Sequence, residues 1–147
     1  ELMVNNHETK DDKDGIWAYS FPSNWMTGTF TKHTLATGFK NKFSLTVPNM
    51  APGFPYPSGL KLANKVAKLL NLVAGDGDHT AHIMTPNGRP QDFDWALDTI
   101  VEEKGTVGAL TWDDLDKDGW NEVWVPDYDS SRIEVFKFSA LTNEWLQ

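Results

Sequence analysis

The densest chemistry in this chain lies at 112–122, WDDLDKDGWNE. Counted from Asp114, carboxylates stand at positions 1, 3, 5 and 9: Asp114, Asp116, Asp118 and Glu122. Gly119 falls at position 6, where a sharp turn needs it, and the Trp120 carbonyl falls at position 7. Carboxylates this close repel one another, and a divalent cation is the simplest counter-charge. The donors are all oxygen, hard ligands that suit calcium rather than zinc or copper. A helix–loop–helix calcium loop ends on a bidentate Glu at position 12. Here position 12 is Val125, which cannot ligate, and the flanking segments GTVGALTW and EVWV read as strands. The expected site is a nine-residue loop between two strands, with Asp114, Asp116, Asp118, Trp120 and Glu122 as ligands. Calcium there would act as a structural pin, with the Trp120 ring shielding it. An acidic turn holding no metal is the plainer alternative.

A second set of candidates sits on three turns, NNHE at 5–8, GDGD at 75–78 and PDYD at 126–129. Aligned, they bring Asn6, Asp76 and Asp127 into one layer, with Glu8, Asp78 and Asp129 beside them. His7 and Tyr128 are equivalent, Gly77 takes their place in the second turn, and His79 and His82 follow closely. Carboxylates and amides bond hydroxyls, and rings stack on the apolar face of a sugar. The expected ligand surface is therefore Asn6, His7, Asp76, Asp78, His79, Asp127, Tyr128 and Asp129. Hairpin turns are also rich in Asp, Asn and Gly for backbone reasons alone. Were the chain an enzyme, His7, His79 or His82 would be the base and Tyr128 the acid of an elimination. Nothing in their spacing identifies a pair. In ETKDDKDG at 8–15, the spacing of Asp11, Asp12, Asp14 and Gly15 lacks a later ligand, so a solvated hairpin loop is expected. His33 is expected to be an exposed or core-edge residue.

Internal repetition supplies the elements that position these residues. ELMVNNHE at 1–8 matches NLVAGDGD at 71–78 and EVWVPDYD at 122–129. A second strand follows each: GIWAYSFP at 15–22, AHIMTPNG at 81–88 and RIEVFKFS at 132–139. A third falls at GTFTKHTLATGF (28–39), WALDTIVEEKG (95–105) and ALTNEWLQ (140–147). Taken alone WALDTIVEEKG suits a short helix, but the repeat makes it a strand. Inner strands are expected at KFSLTVPNM (42–50) and GTVGALTW (105–112). The units run 1–39 without a first strand, 40–104 with an insertion at 48–70, and 105–147 with the acidic loop. Within the insertion, Leu62, Val66 and Leu69 have helical spacing. Trp17, Trp25, Trp95, Trp112, Trp124 and Trp145 are expected to pack between units.

The balance of thirteen basic and twenty-one acidic residues gives a net charge of −8 in 147 residues. That argues against nucleic acid or an anionic membrane as partner and suits cations and uncharged ligands. No apolar run approaches the ~18 residues of a membrane span, and ELMVNNHE does not resemble a signal peptide. There is no cysteine, so disulfides and thiolate metal sites are excluded. Carboxylate loops fill most easily where calcium is about millimolar, which favours a secreted or extracellular setting.

Residues 105–138, GTVGALTWDDLDKDGWNEVWVPDYDSSRIEVFKF, resemble the FG-GAP/VCBS repeats of integrin-α-type β-propellers. The resemblance is specific in the third unit, where Glu122 replaces the commoner Asp at the ninth position. It extends over most of the chain only through the repeat. The second unit carries the insertion where its aspartates should be, so no calcium is expected there. The resemblance implies an all-β protein built of four-stranded antiparallel blades, about three of them incomplete in this chain. Such a set cannot close a ring, so a fragment of a larger propeller, completed by further blades or by other chains, is expected. Glu1 matches the tail of a similar loop. Functionally the resemblance implies an adhesion or carbohydrate-recognition module like the fungal propeller lectins, binding a glycan or glycoprotein. Alternatives are a polysaccharide lyase or sugar dehydratase, and a protein–protein adhesion module.

Overall fold

The computed structural model describes residues 2–7, 13–42, 50–59, 61–62 and 70–147. Glu1, Glu8, Asp11, Asp12, Val66, Leu69 and most of the expected strand at 42–50 lie outside the described residues. Within them the chain is all-β, with eleven strands in three antiparallel sheets. The first sheet holds β1 (Leu2–Asn5), β2 (Ile16–Ser20) and β3 (Thr31–Ala36) in that order. The second holds β4 (Pro55–Ser58), β5 (Leu70–Ala74), β6 (Thr80–Pro86) and β7 (Trp95–Glu102). The third holds β8 (Thr111–Asp113), β9 (Glu122–Asp127), β10 (Arg132–Ser139) and β11 (Glu144–Leu146). Each is a meander of sequence neighbours, the topology that the repeat requires.

Two edges differ from expectation. The strand beside β5 is Pro55–Ser58, from within the expected insertion. Prolines are tolerated there because β4 is an edge strand, and Pro55 and Pro57 are two residues apart. Alternate N–H groups of an edge strand point away from its neighbour, so their loss costs no ladder bond. In the third unit the strand expected over 105–112 is shortened to Thr111–Asp113. Val107 instead bridges to the second sheet, where Asp76 N–H donates to its carbonyl at 2.9 Å. WALDTIVEEKG is a strand, paired along β6 from Thr80↔Glu102 to Pro86↔Trp95. The potential hydrogen bonds of β6 settle a segment whose own pattern is ambiguous.

The middle sheet is buried on both faces. Leu70, Leu72, Ala74, Ala81, Ile83 and Ile100 pack with Val123, Val125, Phe136 and Phe138 of the third sheet, and Leu62 joins them. On its other face Val73 and Met84 pack with Ile16, Ala18, Leu35, Ala36 and Phe39 of the first unit. Alternation along β5 thus sends neighbouring residues into two different cores. Each fully buried side chain such as Leu72 contributes ~1.5–3 kcal/mol. Trp95, Trp112 and Trp145 pack against these clusters as expected. Trp25 does not: it lies in the turn between β2 and β3 and is largely exposed. The outer face of the first sheet carries Trp17, with the Lys32 ammonium 3.9 Å from its ring centroid.

Candidate metal centre

β8 and β9 are paired at their very ends, Asp113↔Glu122, so the chain between them must reverse tightly. The reversal uses left-handed backbone at Lys117 (φ 61°) and Gly119 (φ 92°). A Cβ on Gly119 would meet nothing, so its torsion, not crowding, demands glycine. Aspartates fasten the turn. Gly119 N–H donates to Asp114 Oδ2 at 2.9 Å, Asp118 N–H to Asp116 Oδ1 at 3.1 Å, and Trp120 N–H to Asp118 Oδ1 at 3.0 Å. Leu115 N–H donates to Glu122 Oε2 at 2.8 Å, so the ninth position reaches back across the loop.

These bonds turn oxygens inward. Asp114, Asp116 and Glu122 each place one within 4.8 Å of the others. Asp114 Oδ1 is buried and has no protein partner. An all-oxygen cluster with one buried lone oxygen fits a hard divalent cation such as calcium. Asp118 is not part of this set. Trp120 is 38% exposed.

Lys137, which nothing in the loop motif points to, enters the cluster. Its Nζ lies 2.7 Å from Asp116 Oδ2, 2.7 Å from Asp118 Oδ2 and 2.9 Å from Glu122 Oε1. Those contacts hold the ammonium well above the usual lysine range, with Asp116 the largest influence. The same lysine holds the Asp118 carboxyl below the usual carboxylate range. The signal is in the strand register: Lys137 stands directly across from Glu122 in the β9–β10 pair.

The second set of candidates is spread over the three turns. In each unit one acid or amide accepts a main-chain N–H. Asn6 Oδ1 accepts from Gly15 at 3.1 Å, Asp78 Oδ1 from Thr80 at 2.9 Å and Asp129 Oδ2 from Thr106 at 2.8 Å. His7 Nε2 lies 2.8 Å from Asp76 Oδ2, joining the first two sheets at the surface. Asp78 Oδ2 lies 2.8 Å from His82 Nε2, and both residues are buried. His79 is buried too, with left-handed backbone and no partner for Nε2. Tyr128 is 72% exposed, on another turn. His33 stacks face to face on Phe93 with centroids 3.7 Å apart and bonds Ser20 at 2.9 Å.

Asp127 is fully buried and belongs to a charge cluster that the sequence did not suggest. Arg132 Nη2 donates to Asp127 Oδ2 at 3.2 Å and to Glu103 Oε2 at 3.1 Å, and its Nε lies 3.1 Å from Glu134 Oε1. One guanidinium thus faces three carboxylates. Burial pushes the Glu103 carboxyl above its usual value, Glu134 and Asp127 add to the rise, and Arg132 opposes it.

A hollow of about 650 Å³ opens on the first sheet, bounded by Asn5, Asn6, Asp14, Trp17, Tyr19 and Lys32 among others. Asp14 is buried at its margin, accepting Phe39 N–H at 2.5 Å through Oδ2 while Oδ1 has no partner. Asp14 therefore ties the entry to β2 to the segment after β3, while residues 8–12 of the expected hairpin loop lie outside the described residues.

No family model matches the chain, and no curated protein or solved structure matches it at a significant level.

Proposed function

We propose that the chain is part of a calcium-stabilised, extracellular β-propeller of FG-GAP/VCBS type, and that it recognises carbohydrate. The observation that carries this is the acidic loop between adjacent strands: three carboxylates converge to within 4.8 Å where β8 hands over to β9. Three meandering sheets stacked face to face support the blade reading. So does the half-buried ring of Trp124, on the third sheet at an end of the stack, which suits contact with a further blade or another chain. Calcium would be held by Asp114, Asp116 and Glu122, where it supplies positive charge and no reactivity.

The carbohydrate reading is supported by the hollow on the first sheet, which combines Trp17 and Tyr19 with Asn5 and Asn6. Rings of this kind cover the apolar face of a sugar and amides pair its hydroxyls. Among the described residues, no helix is long and apolar enough to cross a membrane. His82 is engaged by Asp78 and buried, His7 is engaged by Asp76, and Tyr128 lies on a different turn. The test is a glycan array probed with the protein in calcium and in chelator. Binding to a defined glycan class, lost in Trp17→Ala with the fold intact, supports the reading. Binding only to proteins would favour an adhesion module, and a new absorbance from unsaturated products on acidic polysaccharides would favour a lyase.

A further inference from the structure

We propose that Lys137 is the acidic loop's own tethered cation, which holds the loop together without metal and must be displaced before calcium can bind. The second half of this rests on the calcium reading given above; the first half does not. The loop brings four carboxylates, Asp114, Asp116, Asp118 and Glu122, into nine residues. A single ammonium lies within 2.9 Å of an oxygen from three of them. Glu122 is the deeply buried member of that group, with a side chain 7% exposed. A buried carboxylate needs a counter-charge, and Lys137 is the cation that supplies it.

The lysine's place is fixed by the fold and not by a mobile arm. Sheet register sets Lys137 opposite Glu122 on the same face of β9 and β10. The corresponding pair in the second sheet is Asn71↔Met84, both fully buried, in a unit with no acidic loop. Acidic loop and cross-strand lysine thus occur together in the third sheet and are both missing from the second. Neutral partners replace both members at once.

Calcium takes about 6–8 oxygens at ~2.3–2.6 Å. Asp116 and Glu122 cannot donate to it through the oxygens that Lys137 already occupies. The lysine must therefore swing out, and it has room: its side chain is 33% exposed and borders a hollow of about 480 Å³ with Val135, Ser139 and Leu146. The ammonium then acts as a competitor that weakens the site and sets the calcium level at which it fills.

The experiment compares the wild-type protein with Lys137→Met, which keeps an unbranched apolar stem, and with Lys137→Arg, which keeps the charge. Melting is followed in chelator and in calcium, and calcium affinity is measured by calorimetry. In chelator, Lys137→Met is expected to melt lower by roughly 2–8 °C and Lys137→Arg to lie between it and wild type. Calcium affinity of Lys137→Met is expected to rise on the order of tenfold or more, and calcium restores its melting temperature. Should Lys137→Met fail to fold in chelator, the wild type still answers through amine labelling read by mass spectrometry. Labelling of Lys137 should speed up on adding calcium while exposed Lys104 is unchanged. Equal melting in chelator together with equal calcium affinity would overturn the proposal, as would Lys137 labelling as fast as Lys104 without metal. If no variant binds calcium but Lys137→Met melts lower, the calcium reading fails and the tethered cation stands.

Discussion

Replacing Gly119 by alanine tests the loop's backbone without touching its charges. Gly119 has φ 92°, and no atom lies within 4 Å of where a Cβ would stand. The methyl group therefore meets no neighbour, and the penalty is torsional alone. An L-residue in left-handed backbone costs roughly 1–2 kcal/mol. Gly108 is the natural control: a Cβ there also meets nothing, and its φ is outside the left-handed region. Gly108→Ala removes freedom from the unfolded chain and should stabilise by ~0.4–1 kcal/mol. At about 2–4 °C per kcal/mol for a chain of this size, Gly119→Ala should lower the melting temperature by roughly 2–8 °C. Gly108→Ala should raise it by roughly 1–4 °C. Both are read by thermal denaturation followed by circular dichroism, in chelator and with calcium. Gly119→Ala should also lower calcium affinity, since Asp114 Oδ2 is held by the Gly119 N–H. If the two variants melt alike, the reversal between β8 and β9 does not rest on left-handed backbone, and the reasoning fails.

Two other sites give separate predictions. Asp78→Ala leaves His82 Nε2 and the Thr80 N–H buried without partners, a loss of about 2–4 kcal/mol that chemical denaturation would register; a loss below half of that would mean Asp78 is not the anchor of its turn. Glu103→Gln should stabilise more as pH rises. The folded carboxyl is raised by burial, so its contribution is full below the unfolded value of about 4.3 and is lost as pH climbs through the folded value. The variant has no such loss, and its melting advantage over wild type should grow from about pH 4 to about pH 7; a constant difference would contradict the assigned direction.

Much of the strand order was legible because the repeat supplied it. NLVAGDGD and EVWVPDYD each open on the β-strand that follows the expected loop position, and RIEVFKFS coincides with β10. WALDTIVEEKG shows why the repeat was needed: its own periodicity permits a helix, and only pairing with β6 decides it. Pro55–Ser58 was missed because proline reads as a strand breaker, although an edge strand tolerates it at alternate positions. Val107 was misplaced because its partner, Asp76, lies in the turn after β5 in another unit, and no local pattern encodes that bridge.

At the site, the carboxylates were legible because their spacing is local. Lys137 was not, because it is 15 residues beyond Glu122 and meets it only through the register of β9 and β10. The Arg132 cluster escaped for the same reason: Glu103 precedes the third sheet's first strand and reaches Arg132 only after folding. Trp25 was overread, since an aromatic beside a strand need not face the core.

The most direct test of the central claim is a calorimetric titration of the protein with calcium through about 1 mM, the weak end for extracellular modules. The account predicts saturable binding of one ion per chain, abolished when Asp114→Asn and Asp116→Asn are combined while the circular dichroism spectrum stays β-rich. No saturable binding in that range, or binding unchanged in the double variant, would contradict it.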